Sequence, residues 1–403
     1  MKYIVIVTDG MADRPLKELD GKTPLMVAFK PNMDMLASQG IVGTVRTIPE
    51  GFYPGSDVAN LGIMGYDPGK YYTGRAPLEA ASIGVNLSED DVAYRCNLVT
   101  LQFNKDRTKA IMEDYSAGHI TTEEARELIK DLNESLSDDF ISFYPGVSYR
   151  HLMIWRKGIA DCECTPPHDI TGKEITDYLP SGRADETLRS LMLRSVSLLE
   201  AHPVNKARLQ KGLRPANSIW LWGQGKRPDM PTFMEKYGIK GSLVSAVDLT
   251  KGIGIYAGLN IINVPGATGY IDTNYTGKAE SAINSLKDND FVYIHIEAPD
   301  EASHEGSIEK KIKAIEDIDA LVIGTALRML KSFNEYRLLI LPDHATPISV
   351  RTHTDEPVPF ILYDSRKKTG NKIRFDESIT ELKEVIRIDE GFRLMDYFIK
   401  EVI

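Results

Sequence analysis

The sequence predicts an α/β protein, a doubly wound and mostly parallel sheet with a smaller α+β domain inserted into it. Three observations predict this. Short apolar runs at residues 3–8, 291–296 and 338–341 each lead into an acidic turn, as buried parallel strands do. Helical patterns separate the later runs, and strands that alternate with helices imply parallel pairing. At 403 residues the chain is too long for one simple core, and its texture changes near residue 84.

Each element has its own reason. Residues 3–8 (YIVIVT) are rich in β-branched side chains and end at Asp9-Gly10. Residues 31–40 (PNMDMLASQG) read as a helix opened by Pro31 and closed by Gly40. Residues 49–74 read as a long Gly-rich loop. That length in a compact domain points to function, and its aromatic and aliphatic content argues against disorder. Residues 92–102 read as a strand. Residues 121–136 read as a helix with a Thr121 cap and early acids such as Glu123. Residues 140–155 read as two strands about Pro145-Gly146, and 185–202 as a second amphipathic helix. These elements form the inserted domain, residues 86–212, and leave 1–85 and 213–403 as the core. In the core, 217–222 reads as a strand with Trp220 and Trp222 packing on one face, and 241–247 as another strand entering a helix at Asp248. A helix over 308–330 follows the 291–296 strand. Pro342 then ends the last apolar run, because proline cannot continue a central strand.

Composition narrows the function. With 42% hydrophobic and 26% charged residues, the chain is an ordinary globular protein. Its formal net charge of −10 argues against nucleic acid as a partner, while leaving room for an anionic substrate held by local cations. Three cysteines, Cys96, Cys162 and Cys164, favour a reducing, cytoplasmic setting over a disulfide framework. No apolar run is long enough for a transmembrane helix, and the N-terminal apolar run is too short for a signal peptide.

Four segments carry metal-ligating types at predicted strand ends. Asp9 ends the first strand. Asp300 and His304 are four apart, one helical turn, in DEASH. Asp343 and His344 follow the last apolar run, and His353 lies in the next loop. Three carboxylates and three imidazoles suffice for two divalent ions. Ser56, in Gly55-Ser56-Asp57 of the long loop, supplies a nucleophile whose hydroxyl such ions would activate.

Asp9-Gly10, GSDVANLGIMGYDP, PDEASHEG, PDHATP and RTHT resemble the metal-binding segments of the alkaline phosphatase superfamily. More closely they resemble its archaeal-type cofactor-independent phosphoglycerate mutases. GRAPLEAASIGV, SIWLWGQG, SAVDLTKGIG and GATGYIDTNYTGKAE extend the resemblance over nearly the whole chain. The resemblance implies an alkaline phosphatase-like core and two divalent ions, Mn²⁺ first, with Zn²⁺, Co²⁺ or Mg²⁺ as alternatives. Asp300, His304 and His353 would hold one ion; Asp9, Asp343, His344 and the Ser56 oxygen would hold the other. It also implies that Ser56 takes the phosphate of 3-phosphoglycerate, that the freed glycerate reorients, and that the phosphate returns to its other hydroxyl. The inserted domain would cap the substrate and exclude water.

A phosphorylated hydroxy acid needs cations, arginine best for bidentate contacts. The candidates are Lys251, Arg75, Arg150, His151, His168 and Arg183, with Asp169 beside His168. His295 reads as a core or supporting histidine, and His119 has no assigned role. Cys162-x-Cys164 with His168 is one ligand short of a closed zinc site. Two rival reactions keep the same site: a homoserine kinase-like phosphotransfer, although no P-loop is present, and a plain metal-dependent phosphatase.

Overall fold

Lys2–Thr8 runs through the middle of an eight-stranded sheet in the computed structural model, which describes residues 1–367 and 369–401. From one edge the order is Asn260–Ile261, Gly241–Val244, Phe291–Ile296, Lys2–Thr8, Tyr336–Leu341, Val358–Asp364, Ile41–Val45 and Ile386–Ile388. Neighbours are parallel except at Val358–Asp364, which is antiparallel to both of its neighbours.

The continuous apolar runs follow from burial on both faces. Ile4 and Ile6 share a cluster with Val292, Ile294, Leu338 and Ile340 and with apolar residues of the Tyr275–Ser285 and Ile308–Asp317 helices. Val5 and Val7 point the other way and are equally buried. Register then sets the site. Thr8 pairs with Ile296 and Val7 with Leu341, so the carboxyl ends of three parallel strands lie side by side.

By packing, the chain divides into Met1–Tyr72 with Asp229–Ile403, and Thr73–Pro228. The smaller unit is antiparallel. Val92–Phe103 pairs with Arg150–Trp155 and with Ser218–Lys226, and its far end pairs with Ala110–Asp114. Ile141–Val147 forms a hairpin with Arg150–Trp155. The helices Thr122–Leu136 and Asp185–Ala201 bury their apolar stripes on this sheet. Thr121 and Glu124 close a capping box at the start of the first helix.

Several expectations are corrected. The unit boundaries fall at 72/73 and 228/229 rather than 85/86 and 212/213. Ser218–Lys226, expected in the core sheet, bonds instead to Val92–Val99, and Arg75–Ser82 packs on these same two strands. The expected loop over 49–74 contains two helices, Ser56–Ile63 and Pro68–Tyr71. The expected 308–330 helix is three consecutive segments, with a π-helical stretch at Ile318–Ile323. No helix of the described residues is long and apolar enough to cross a membrane.

Candidate metal centre

Each ligand candidate is placed by the turn that follows its strand. Gly10, directly after Asp9, has φ +62°, and a Cβ there would lie 2.5 Å from Asp300 Oδ1. Glycine is what allows the first loop to close on the third. Gly55 is the extended N-cap of Ser56–Ile63, which puts Ser56 at the first helical position. Pro299 opens the Ala298–His304 helix, where Asp300 and His304 face each other one turn apart.

The structure gathers the seven residues into two overlapping groups in the larger unit. In the first, His304 Nε2 is 3.1 Å from Asp300 Oδ2, and His353 Nε2 is 3.5 Å from Asp300 Oδ1. In the second, His344 Nε2 lies 3.0 Å from Ser56 Oγ, 3.4 Å from Asp9 Oδ1 and 3.6 Å from Asp343 Oδ2. Asp9 and Asp300 also converge with His344. The rings of His344 and His353 lie 4.1 Å apart, centroid to centroid.

The histidines are oriented from behind. His304 Nδ1 lies 2.9 Å from Arg351 O, His353 Nδ1 3.4 Å from Pro54 O and His344 Nδ1 3.1 Å from Thr346 Oγ1. Because the Thr346 hydroxyl is spent on Asp300, His344 Nδ1 must be the donor in that contact. All three rings therefore present Nε2 to the centre.

Charge is poorly balanced here. Burial, then the charges of Asp343 and Asp300, pushes Asp9 well above the usual carboxylate range. Burial would also raise Asp300, but hydrogen bonds with His304 and His353 outweigh it and hold the group well below that range. The same Asp300 bond holds the His304 imidazole up at about 9.

Divalent ions fit this arrangement. His304 Nε2 and His353 Nε2 stand 3.1 Å apart with their other nitrogens directed at carbonyls. Buried Asp9 Oδ1 accepts no hydrogen bond. A cation between such groups satisfies both, and mixed oxygen and nitrogen donors suit a divalent metal.

The substrate candidates divide between the two units. Lys251, in the larger unit, is half-buried and lies 3.7 Å from Asp248. The others belong to the smaller unit. His168 packs edge-on against Trp222, and Asp169 is exposed beside it. Arg150 lies over the Tyr149 ring. Arg75 begins the Arg75–Ser82 helix. Arg183 is exposed beside the small Cys162–Glu163/Ser181–Gly182 ribbon. His151 is buried, its Nδ1 accepts from Gly146 N, and burial pulls its pKa down to about 3. The ring is neutral with its hydrogen on Nε2, and that buried nitrogen has no hydrogen-bond partner, so His151 offers a neutral donor rather than a cation.

Other residues of the neighbourhood escaped the sequence reading. Arg95 makes a bidentate pair with Glu79 and stacks on Trp222 at 4.2 Å, and the charges of Arg75 and Arg150 reach it. In the larger unit, Asn60 donates to Ser56 O at 2.8 Å and to Asp343 Oδ2 at 2.9 Å. Its spacing of four from Ser56 was the available signal, but it carries meaning only once that stretch is a helix.

Known proteins resemble this chain over nearly its whole length. Residues 37–205 match the family model described as 2,3-bisphosphoglycerate-independent phosphoglycerate mutase. A protein of that name from Methanosarcina acetivorans is 54% identical over 383 residues, covering 94% of this chain and 95% of its own. A Geobacter sulfurreducens protein, named a probable mutase of this kind, is 52% identical over 397 residues, 98% of this chain and 99% of its own. Among solved structures, a Pyrococcus horikoshii protein superposes with a TM-score of 0.83 at 30% identity, covering 99% of this chain and 96% of its own. The cofactor-independent phosphoglycerate mutase of Thermoplasma acidophilum superposes with a TM-score of 0.68 at 27% identity over the full length of both chains.

Proposed function

The chain belongs to the 2,3-bisphosphoglycerate-independent phosphoglycerate mutase family, and from that premise we propose that Ser56 carries the phosphoryl group between the two hydroxyls of glycerate. The reaction is the interconversion of 3-phosphoglycerate and 2-phosphoglycerate. One observation carries the assignment of Ser56: its Oγ lies 3.0 Å from His344 Nε2, among the carboxylates of Asp9 and Asp343.

Asp300, His304 and His353 would hold one divalent ion, and Asp9, Asp343, His344 and Ser56 the other, with Mn²⁺ as the proposed metal. When bound, the ions supply positive charge that stabilises the attacking oxygen and the phosphoryl group in transfer. The rest falls to the chain. Ser56 Oγ attacks phosphorus, loses its proton, and the departing substrate oxygen gains one. The second half-reaction is the mirror image, with the neighbouring glycerate hydroxyl attacking the phosphoserine. Asn60 holds the first turn of the Ser56 helix in register with Asp343 throughout.

Lys251, and in the smaller unit Arg75 and Arg150 with Arg95 beside them, are the cations proposed for the substrate's phosphate and carboxylate, with His168 and His151, whose pKa values burial lowers, as neutral imidazole donors. Asp169 would orient His168, and Arg183 remains a peripheral candidate. The unpaired Cys96, Cys162 and Cys164 support a reducing, cytoplasmic setting.

The test uses purified protein loaded with Mn²⁺ and followed by ³¹P NMR. With 3-phosphoglycerate alone, the signal of 2-phosphoglycerate should appear at constant total ester. Stoichiometric release of inorganic phosphate would make it a phosphatase, and turnover only with ATP and homoserine would make it a kinase.

A further inference from the structure

Three buried side chains behind the Ser56 group have no part in the reading above. Lys278, Glu297 and His295 are at most 3% exposed. Lys278 Nζ donates to Glu297 Oε2 at 3.1 Å. Glu297 Oε1 lies 2.9 Å from His295 Nδ1 and also accepts from the Ser245 hydroxyl and the Ala246 N–H. A carboxylate at that distance fixes the proton on Nδ1.

The other nitrogen, Nε2, faces the metal centre and is poorly provided for. It lies 3.4 Å from Asp9 Oδ2 and 3.9 Å from Asp343 Oδ2, so even a protonated Nε2 reaches neither at ordinary hydrogen-bond length. Asn60 Nδ2 is 3.4 Å away, but it has nothing left to give. The Tyr293 hydroxyl, 2.6 Å from Asn60 Oδ1, fixes the orientation of the amide. Both amide hydrogens then go to Ser56 O and Asp343 Oδ2. Asp9, His295 and Asp343 thus bring an imidazole nitrogen and two carboxylate oxygens within 4.8 Å of one another, fully buried. Asp9 Oδ1 is left without a hydrogen bond beside them.

We propose that His295 Nε2 is a further nitrogen donor to the ion held by Asp9 and Asp343, with Glu297 and Lys278 as its positioning residues. This rests on the reading of Asp9 and Asp343 as ligands. The chain suits the role electrically. Lys278 offsets the charge of Glu297, so the pair orients the ring without adding net charge behind the ion. An ion arriving at Nε2 replaces any proton there, and that proton leaves to solvent.

The experiment counts nitrogens. Protein labelled with ¹⁵N-histidine is loaded with Mn²⁺, and the hyperfine spectrum is recorded for wild type, His295→Gln and Glu297→Gln, alongside Mn²⁺ binding isotherms. The expectation is coordination by His295 as well as His304, His344 and His353 in wild type. In His295→Gln one histidine nitrogen should disappear and one of the two ions should bind roughly ten- to a hundredfold more weakly. Glu297→Gln should keep the nitrogen count and weaken the same ion. A wild-type spectrum with only three histidine nitrogens overturns the proposal, whether or not the variants fold, as does an unchanged count in His295→Gln. If wild type binds fewer than two ions, the underlying ligand assignment fails as well. Two ions with three nitrogens defeat only the role of His295.

Discussion

The Thr346 hydroxyl donates to Asp300 Oδ1 at 2.6 Å and at the same time receives His344 Nδ1 at 3.1 Å. One small side chain therefore touches a ligand candidate from each of the two groups. Thr346→Val should weaken both ions, because a buried hydrogen bond to a charged group is worth about 1.5–3 kcal/mol. That corresponds to about ten- to a hundredfold in affinity. Thr346→Ser keeps the hydroxyl and should restore binding. Mn²⁺ titration of the three proteins checks this, and loss of only one ion would remove Thr346 as the link.

Ser56→Ala should abolish mutase turnover while leaving two ions bound. Its oxygen is one donor among several, whereas it is the only nucleophile that the chain supplies in the proposed cycle. Metal analysis and intact-protein mass after exposure to 3-phosphoglycerate check both halves. The wild type should show a phosphorylated species that the variant lacks, and substantial activity in the variant would rule out the phosphoserine route.

Much of this centre was legible because strand ends announce it. Asp9, Asp343 and His344 follow apolar runs directly, and the spacing of Asp300 and His304 is helical. The supporting groups were not legible, because they act across long separations. Asn60 and Asp343 are 283 residues apart, and Thr346 is meaningful only once Asp300 lies beside it. Ser56–Ile63 was hidden as a helix by its glycine-rich surroundings. The strands Ile41–Val45 and Val358–Asp364 contain Gly43 and Pro359, residues that lower a strand reading, yet they pair with each other. A Cβ at Gly43 would meet Ile386 O at 2.4 Å, a constraint set by a strand more than 300 residues away.

Lys311 is fully buried and spends its three hydrogens on Asp13 Oδ2 at 2.8 Å, Thr346 O at 3.0 Å and Ala12 O at 3.2 Å. It ties the loop after Asp9 to the loop after His344. Lys311→Met leaves the Asp13 carboxylate buried without its partner, which costs about 3–5 kcal/mol in such pairs. Chemical denaturation of the ion-free protein should show this loss, and adding Asp13→Asn should recover part of it. A variant within 1 kcal/mol of wild type, a small fraction of that cost, would mean that the two loops are held by other contacts.

Glu377 gives the fold a pH dependence of definite sign. Burial raises its pKa to about 7, against the lowering effect of hydrogen bonds from Thr23 and Asp13 N. The unfolded chain ionises this group near the usual glutamate value of about 4.3. Between those limits the folded state binds more protons than the unfolded one, so this group's contribution to stability falls as pH rises through the window and is flat above it. Glu377→Gln cannot ionise. Its stability relative to wild type should therefore increase from pH 5 to pH 8, with most of the change complete by about pH 7. Urea midpoints of the two ion-free proteins at pH 5, 6, 7 and 8 measure this. Subtracting one from the other cancels the groups they share. A constant difference across the series would mean that Glu377 ionises in the fold as it does in the open chain, with the Thr23 and Asp13 contacts compensating fully for its burial.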